Sequence, residues 1–298
     1  MDFFITTNKI AMTPTLTILG CGYLGTALAK KAVSRKWEVS ALTRNPETAN
    51  NLRAIGVSLV VKEKIESDAW HSQLNPKQDY VVNCVGAASP NLEGYRKSYL
   101  DGQHSISGWL QNGGAKKFIF TSSSSVYPQV DGELIDEESS NCGVSERGKL
   151  LLAAEKVCLA LNTTERISFV LRLAGLYGPG RHLLIDKVRR GERMSGNSSR
   201  FLNLIHQTDA VGAIMAVLVS ATQSVSRIYN VSDGEHATRG EIVDWLSKKL
   251  NLPNPGFEEN DGPHSPNRKI SNALIQSGFQ WTPYYLSFRN AYEEMLAT

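Results

Sequence analysis

The sequence is poor in cysteine and contains no long apolar run. Four cysteines among 298 residues show neither the spacing of a Cys-x-x-Cys metal or redox motif nor the density of a disulfide-stapled domain. No apolar stretch approaches the roughly 20 residues that a membrane-spanning helix needs. These absences exclude zinc-ribbon, disulfide-scaffold and membrane-spanning classes, and they predict buried free thiols in a reducing compartment. The thiols belong to Cys21, Cys84, Cys142 and Cys158.

A large net charge is also missing, because the formal charge is only +3 at pH 7. No basic run or stripe is present, so the sequence predicts neither a nucleic-acid surface nor a membrane surface. Residues 1–12 have no basic start followed by a sustained apolar segment, which argues against a secretory signal and predicts a short disordered leader. We therefore expect a cytoplasmic protein whose partner is a small molecule.

What the sequence does contain is a regular alternation of apolar runs and helix-length segments. This alternation predicts an α/β fold with a parallel sheet between two helical layers. Right-handed crossovers then give a doubly wound sheet, the Rossmann fold. The predicted strands are residues 16–19, 39–42, 57–61, 80–85, 117–120, 168–171 and 228–231. The main predicted helices are residues 23–35, 95–111, 145–161 and 208–221.

The pattern changes after the Gly-Pro-Gly segment at residues 178–180. We predict a dinucleotide-binding domain over residues 1–178, to which residues 204–232 return. Residues 179–203 and 233–298 would then form a small, discontinuous C-terminal lobe, with helices at 240–250 and 288–296. Such a lobe would cover the cleft and select the substrate.

A glycine-rich turn links the first predicted strand to the first predicted helix. Its three glycines have the spacing G-x-G-x-x-G, which gains meaning from this strand–turn–helix context. Gly20 would permit the tight turn, Gly22 would let the backbone approach a pyrophosphate, and Gly25 would let the helix pack closely on the strand. The N–H groups and dipole of the new helix would favour phosphate charge. The turn therefore predicts a bound dinucleotide.

An acidic residue is missing where NAD enzymes usually place one on the ribose 2′-OH, about 20 residues past the glycines. Thr43 and Arg44 stand there instead. A guanidinium can bind a 2′-phosphate through paired hydrogen bonds, although an exposed surface arginine would look the same in sequence. We predict NADP(H), with NAD as the less favoured cofactor. The predicted cofactor residues are Gly20, Cys21, Gly22, Tyr23, Leu24, Gly25, Thr43, Arg44, Val85, Gly86 and Ala87.

Six short segments fall in the order typical of one enzyme family. They are residues 19–25, 83–87, 118–127, 171–180, 203–209 and 229–233. Together they make the chain resemble the extended and atypical short-chain dehydrogenase/reductase family, in its epimerase/dehydratase branch. The resemblance covers nearly the whole chain. It implies a hydride-transfer reaction and makes Ser123 the residue whose hydroxyl would bond a substrate oxygen. Dehydratases of this family carry Asp and Glu at the next two positions, where this chain has Ser124 and Ser125, so we expect no dehydration.

The tyrosine of the family's Tyr-x-x-x-Lys motif is absent. The best match is Ser145-Glu-Arg-Gly-Lys149, in which Ser145 stands at the tyrosine position. The resemblance implies that Lys149 binds the nicotinamide ribose, although a solvated helix lysine would look the same. A serine hydroxyl is too weak an acid to replace the phenol. Asp101 falls where extended members place an asparagine, a change typical of the atypical branch.

Three other residues could replace the missing proton donor. Tyr127 and Tyr177 follow predicted strands at the carboxyl edge of the sheet, where a phenol could reach a substrate. His206 has a side chain suited to proton transfer, but the resemblance favours a structural role for it. The predicted catalytic set is therefore Ser123, Tyr127, Ser145, Lys149 and Asp101.

Two functions remain open from the sequence. The first is an NADP-dependent oxidoreductase or epimerase acting on a small polar carbonyl or hydroxyl compound, such as a nucleotide sugar. The second is an NADP-binding regulatory or assembly protein without turnover, because the catalytic tyrosine is missing. A homodimer is compatible with either function, and no metal is expected.

Overall fold

The computed structural model describes residues 13–221, 227–258, 260, 262 and 265–297. The leader predicted for residues 1–12 lies outside this part of the chain. The strands are β1 (Thr15–Leu19), β2 (Glu38–Thr43), β3 (Leu59–Lys62), β4 (Gln78–Asn83), β5 (Ala115–Ser123), β6 (Leu134–Ile135), β7 (Ile167–Leu173), β8 (Gly175–Tyr177), β9 (Met194–Ser195), β10 (Leu204–His206), β11 (Ile228–Val231), β12 (Phe257–Glu258) and β13 (Lys269–Ile270).

Ten α-helices lie in the same described part of the chain, and a π-helical turn (Arg96–Asp101) joins the third to the fourth. They are α1 (Tyr23–Ser34), α2 (Pro46–Ala54), α3 (Leu92–Tyr95), α4 (Gly102–Gln111), α5 (Glu146–Leu159), α6 (Leu183–Arg190), α7 (Gln207–Val219), α8 (Arg239–Leu250), α9 (Ala273–Phe279) and α10 (Phe288–Ala297).

Seven parallel strands form the main sheet in the order β11-β7-β5-β4-β1-β2-β3. This arrangement confirms the predicted doubly wound α/β fold. The strand order reverses between β1 and β4, and ligands of such sheets bind past the carboxyl ends of the strands at that point. The fold therefore directs attention to the loops after these two strands.

Apolar side chains cover the main sheet and form smaller clusters beside it. The sheet is buried on both faces, with Leu16, Ile18 and Phe118 fully buried among α1, α4, α5 and α7. A smaller core joins α6, α8 and α10 through residues such as Val188, Leu246 and Tyr292. These three helices fall within residues 179–203 and 233–298.

Helix α9 departs from the predicted lobe at 233–298. Its buried residues Ile275 and Phe279 belong to the core of the main sheet, and Phe279 packs against Phe169 and Tyr229. Helix α9 packs directly against the edge strand β11. The remaining division into a cofactor domain and a substrate lobe stays a prediction.

Two predictions about the surface can be compared with the structure. Cys21, Cys84 and Cys158 are buried free thiols, as predicted, but Cys142 is exposed. It lies in the surface loop before α5, next to Gly143, whose φ is +82°. None of the described helices has both the length and the apolar character needed to cross a membrane.

Candidate active site

A cavity of about 770 Å³ opens at the carboxyl edge of the main sheet. Its walls come from the segments that follow β1, β2, β4, β5 and β7, closed from the other side by residues around positions 200 and 266. Most of the predicted site lines it: Gly20, Cys21, Gly22, Tyr23, Leu24, Thr43, Arg44, Val85, Gly86, Ala87 and Ser123. The fold thus gathers residues spread over about a hundred positions of sequence into one cleft.

The three glycines of the turn meet different surroundings. A Cβ on Gly20 would lie 2.5–2.7 Å from Val85, and a Cβ on Gly25 would lie 2.6 Å from the Gly20 carbonyl oxygen. A Cβ on Gly22 would meet nothing within 4 Å. Gly20, at φ +86°, and Gly25 therefore keep the turn compact, whereas Gly22 leaves room beside the cavity for a ligand.

The start of α1 is suited to an anion. No side chain caps the helix and its first turn carries no acidic residue, so the positive end of the helix dipole is not compensated locally. Cys21 and Gly20 donate their N–H groups to the Leu42 carbonyl oxygen at 3.0 Å, which fixes the turn on β2. This geometry fits a pyrophosphate at the helix N-terminus.

The end of β2 carries a base rather than an acid. Arg44 lines the cavity, is exposed, and donates to the Ala88 carbonyl oxygen at a long 3.5 Å. Asn45 accepts from the N–H groups of Glu47 and Thr48 and so begins α2. The acidic residues of the lining, Glu63 and Glu66, follow β3 instead.

The serines after β5 have unequal roles. Ser122 donates to Glu155 Oε1 at 2.6 Å, and Ser123 Oγ accepts from the Ser125 N–H at 3.2 Å. Ser123, Ser124 and Ser125 all line the cavity. The hydroxyl of Ser123 faces the cleft with its O–H still available as a donor, because the turn uses it only as an acceptor.

A buried polar network lies behind these serines. Arg172 pairs with Glu155 at 2.7 Å and donates to the Tyr127 hydroxyl at 2.8 Å, and Tyr127 donates to Asn230 Oδ1 at 2.8 Å. Tyr127 is fully buried, and burial raises the pKa of its phenol. Tyr127 therefore does not line the cavity, and the structure places it in the network that links β5, β7 and β11.

Tyr177 and His206 also lie away from the cavity. Tyr177 is buried in the lobe core against His206 and Tyr292, and burial raises its pKa far above the usual value. His206 begins α7, with Nδ1 accepting from the Thr208 N–H at 3.2 Å, and burial lowers its pKa. These contacts agree with the structural role expected for His206.

The predicted Ser145 and Lys149 pair is not brought to the cavity. Ser145 Oγ accepts from the Gly148 N–H at 3.3 Å and caps α5. Lys149 Nζ lies 2.6 Å from Glu146 Oε1, and both side chains are more than 60% exposed. Asp101 faces a separate surface depression with Asp68 and His104. The structure thus separates these three residues from Ser123.

The family model for the NAD dependent epimerase/dehydratase family matches residues 16–232. The chain belongs to this family. That span contains the main sheet, apart from Thr15 at its start, and every wall of the cavity except the residues around position 266.

Among relatives of this epimerase/dehydratase chain, Protein YeeZ of Escherichia coli (strain K12) is 28% identical over 251 residues, which cover 81% of this chain and 86% of the relative. MoeE5, solved in complex with UDP-glucose and NAD, is similar with a TM-score of 0.79 at 22% identity, over 93% of this chain and 95% of that one. UDP-glucuronic acid 4-epimerase from Bacillus cereus, in complex with UDP-glucuronic acid and NAD, is similar with a TM-score of 0.82 at 17% identity, over 94% and 96%. At these identities the two structures establish the fold.

Several lining residues of this family member were not predicted from the sequence, among them Tyr99, Arg200 and Arg268. Arg181, which also lines the cavity, belongs to a basic segment that could meet a substrate phosphate or carboxylate. Tyr99 comes from the π-helical turn, Arg181 lies over the Tyr23 ring, and Arg200 and Arg268 come from the lobe side. The local sequence of each one resembles an ordinary surface segment. Arg268 directly precedes β13. The pairing of β13 with β6 brings this residue to the cavity.

Arg268 is the most unusual of these residues. It is 92% buried, since its relative exposure is 8%, and its Nη2 donates to the Ser124 carbonyl oxygen at 2.8 Å. Its Nε is buried without a partner, and no carboxylate of the described residues forms an ion pair with it. Burial and the neighbouring Arg200 lower its pKa to about 10. A buried guanidinium of this kind is costly unless an anion pairs with it.

Proposed function

We propose that this chain is an NADP-dependent oxidoreductase or epimerase of the atypical short-chain type. It would move a hydride between NADP(H) and a polar carbonyl or hydroxyl substrate that carries an anionic group, as a nucleotide sugar does. One observation carries the proposal: a single cavity joins the glycine turn, Ser123 and the Arg268 guanidinium, which has no ion-pair partner in the described part of the chain.

The residues present fit a dinucleotide. The uncapped start of α1 would hold the pyrophosphate, and Arg44 would hold a 2′-phosphate through charge-assisted hydrogen bonds. Gly86 and Ala87, after β4, would border the nicotinamide half of the ligand. When bound, the cofactor supplies or accepts the hydride, and the protein supplies orientation and the proton.

The proposed binding site for an anionic substrate group is Arg268, on the cavity wall opposite the sheet. Arg268 touches the backbone of Ser124, so a phosphate or carboxylate bound there would lie beside the proposed Ser123 centre. Two similar structures hold UDP-glucose and UDP-glucuronic acid, which carry such groups. A substrate lobe, a homodimer and a cytoplasmic location remain parts of this proposal.

A second candidate is an NADP-binding protein without turnover. The observation in its favour is the exposed ion pair of Lys149 with Glu146, outside the cavity and without a tyrosine at position 145. Incubation with NADP(H) and a panel of UDP-sugars separates the two candidates. Cofactor consumption or an epimerised sugar supports the enzyme, whereas cofactor binding with no product supports the second candidate.

The cofactor choice is tested by titration of the protein with NADPH and NADH, followed by fluorescence. We expect NADPH to bind at least about tenfold more tightly, which corresponds to about 1.4 kcal/mol. Arg44→Ala should remove most of that preference and leave NADH affinity unchanged, because the guanidinium would contact only the 2′-phosphate.

Arg53→Ala is the matched control. Arg53 lies on α2, donates to Asn50 and to the Val60 carbonyl oxygen, and is not among the cavity residues. This variant should keep the NADPH preference. Equal affinities of the unmutated protein for the two cofactors would contradict the proposed role of Arg44.

A further inference from the structure

Two phenols line the cavity, and neither is a phenol that the sequence offered as proton donor. They belong to Tyr23, in the glycine turn, and Tyr99, in the π-helical turn Arg96–Asp101. Tyr127 and Tyr177 are buried elsewhere. The choice of a phenol within the site therefore lies between these two residues.

Tyr23 lies where the glycine turn meets the segment after β8. A Cβ built on Gly178 would lie 2.8 Å from the Tyr23 hydroxyl and 3.0 Å from His206 Nε2, which places that hydroxyl at the junction with the lobe core. The Arg181 guanidinium lies 5.6 Å from the Tyr23 ring centroid. Tyr23 is thus held beside the phosphate-binding turn.

Tyr99 lines the cavity beside the loop that follows β4. Its ring packs on Tyr95 and Phe120, with centroid distances of 5.3 and 6.3 Å, and the Ala87 backbone lies near enough to its hydroxyl to lower the pKa of the phenol. Ala87 follows β4, at the point where the strand order reverses. The π-helical turn packs against α5, which places Tyr99 between that helix and the cleft.

The backbone at Tyr99 is itself irregular. α3 and α4 would make one continuous helix, but six residues between them form π-helical hydrogen bonds. Such turns are rare, rotate side chains relative to an α-helix, and occur frequently at functional sites. Ser98 in the same turn accepts from the Ala88 N–H at 2.8 Å, so the turn is fastened to the loop that borders the cavity.

We propose that Tyr99 is the proton donor of this chain in carbonyl reduction. This assignment rests on the proposed function. As the carbonyl carbon of the substrate takes the hydride that the bound cofactor supplies, the carbonyl oxygen takes the Tyr99 hydroxyl proton. The product is an alcohol, and the phenolate left behind regains its proton from water.

The electrostatics around Tyr99 favour the protonated phenol. Burial raises the pKa of its phenol, and Tyr95 raises it further, whereas the Ala87 backbone and the charge of Arg181 lower it. Arg147 of α5 lies over the neighbouring Tyr95 ring. The phenol is therefore neutral near pH 7, the form that can donate a proton. Lys149 points away from the cavity and supplies no charge to ionise it.

The test compares Tyr99→Phe with Tyr95→Phe, which removes a hydroxyl from the adjacent packed ring but not from the cavity lining. Both variants should bind NADPH as the unmutated protein does. Turnover of carbonyl substrates, UDP-linked keto sugars included, should fall by roughly 10²–10⁴ in Tyr99→Phe and stay within about twofold in Tyr95→Phe.

A second readout does not need turnover. The ultraviolet titration of the unmutated protein minus that of Tyr99→Phe gives the pKa of Tyr99 alone. Saturating NADP⁺ should lower this pKa, because the oxidised nicotinamide is cationic and would lie near the phenol. The corresponding difference titration with Tyr95→Phe gives the pKa of Tyr95. Saturating NADP⁺ should change that pKa less than it changes the pKa of Tyr99.

The outcomes separate this assignment from the proposed function. NADP⁺ binding without a change in the Tyr99 pKa, or full turnover by Tyr99→Phe, overturns the role of Tyr99 and leaves the proposed function standing. Failure to bind any dinucleotide overturns both. A lowered pKa together with the loss of turnover supports both.

Discussion

The two halves of the cleft are built in different ways. In the proposed cofactor half, the shape of the cleft is set by the backbone and by glycines. Gly20 packs against Val85, Gly25 packs against Gly20, and no side chain caps the start of α1. In the half that we propose to be catalytic, side chains such as Ser123 and Tyr99 form the wall. Ser145 and Lys149, the residues that the family motif offered, lie outside the cavity in a helix cap and a surface ion pair. The comparison shows that the glycine motif indicates where a cofactor would bind, but does not indicate which side chains would carry out the reaction.

The largest effect should come from the network that supports the serine wall. Glu155→Ala leaves Arg172 buried without its ionic partner, which we expect to lower the free energy of unfolding by about 3–5 kcal/mol. Chemical denaturation measures this change directly. The result would show that the catalytic half depends on buried charge rather than on backbone contacts.

Glu146→Ala is the matched control for that experiment. Glu146 lies on the same helix and also pairs with a cation, but its pair with Lys149 is exposed. We expect a change of about 0–1 kcal/mol. Equal losses in the two variants would mean that Arg172 finds another partner and that the network does not carry the stability assigned to it.

Two substitutions in the glycine turn should have different effects, one on stability and the other on cofactor binding. Gly25→Val places side-chain atoms against the Gly20 carbonyl and should lower stability by about 1–3 kcal/mol. Gly22→Val meets open space in the protein, so the thermal midpoint should change little while binding of NADPH and NADH is lost. A Gly22→Val variant that still binds NADPH would contradict the position proposed for the pyrophosphate.

The smallest expected effect concerns the cap of α5. Ser145→Ala removes the acceptor of the Gly148 N–H and should cost about 1 kcal/mol of unfolding free energy. The affinity for NADPH should not change, because Ser145 is outside the cavity lining. Ser145→Asp, which keeps a capping oxygen, should restore stability. A loss of cofactor affinity in Ser145→Ala would bring position 145 back into the site.

The sheet could be predicted from the sequence because its strands are buried on both faces. Each of the seven apolar runs corresponds to a strand of the main sheet, although β3 begins at Leu59 rather than at residue 57. Helix α2 was missed because it is mostly polar, yet Asn45 and Pro46 are ordinary helix-start signals. Helix α6 was missed because it lies in a basic stretch of sequence. Its buried apolar residues, Ile185 and Val188, are too few to show a helical pattern there.

The cofactor side of the site followed from a local motif, whereas the catalytic side did not. Arg268 reaches the cavity through the pairing of β13 with β6, far apart in sequence, which no local pattern indicates. Tyr99 lies in a π-helical turn, and helical periodicity gives no sign of one. The phenols of Tyr127 and Tyr177 follow strands, but burial in the protein interior removes them from the cleft.

Position 145 is committed to the start of α5. Its hydroxyl accepts from the Gly148 N–H, so a side chain without a capping oxygen at this position lowers the stability of the helix. Since Ser145 also lies outside the cavity lining, a tyrosine there would lose the cap without adding a phenol to the site. The same residue type that resembles a lost catalytic group in the sequence is thus an ordinary architectural residue in the structure.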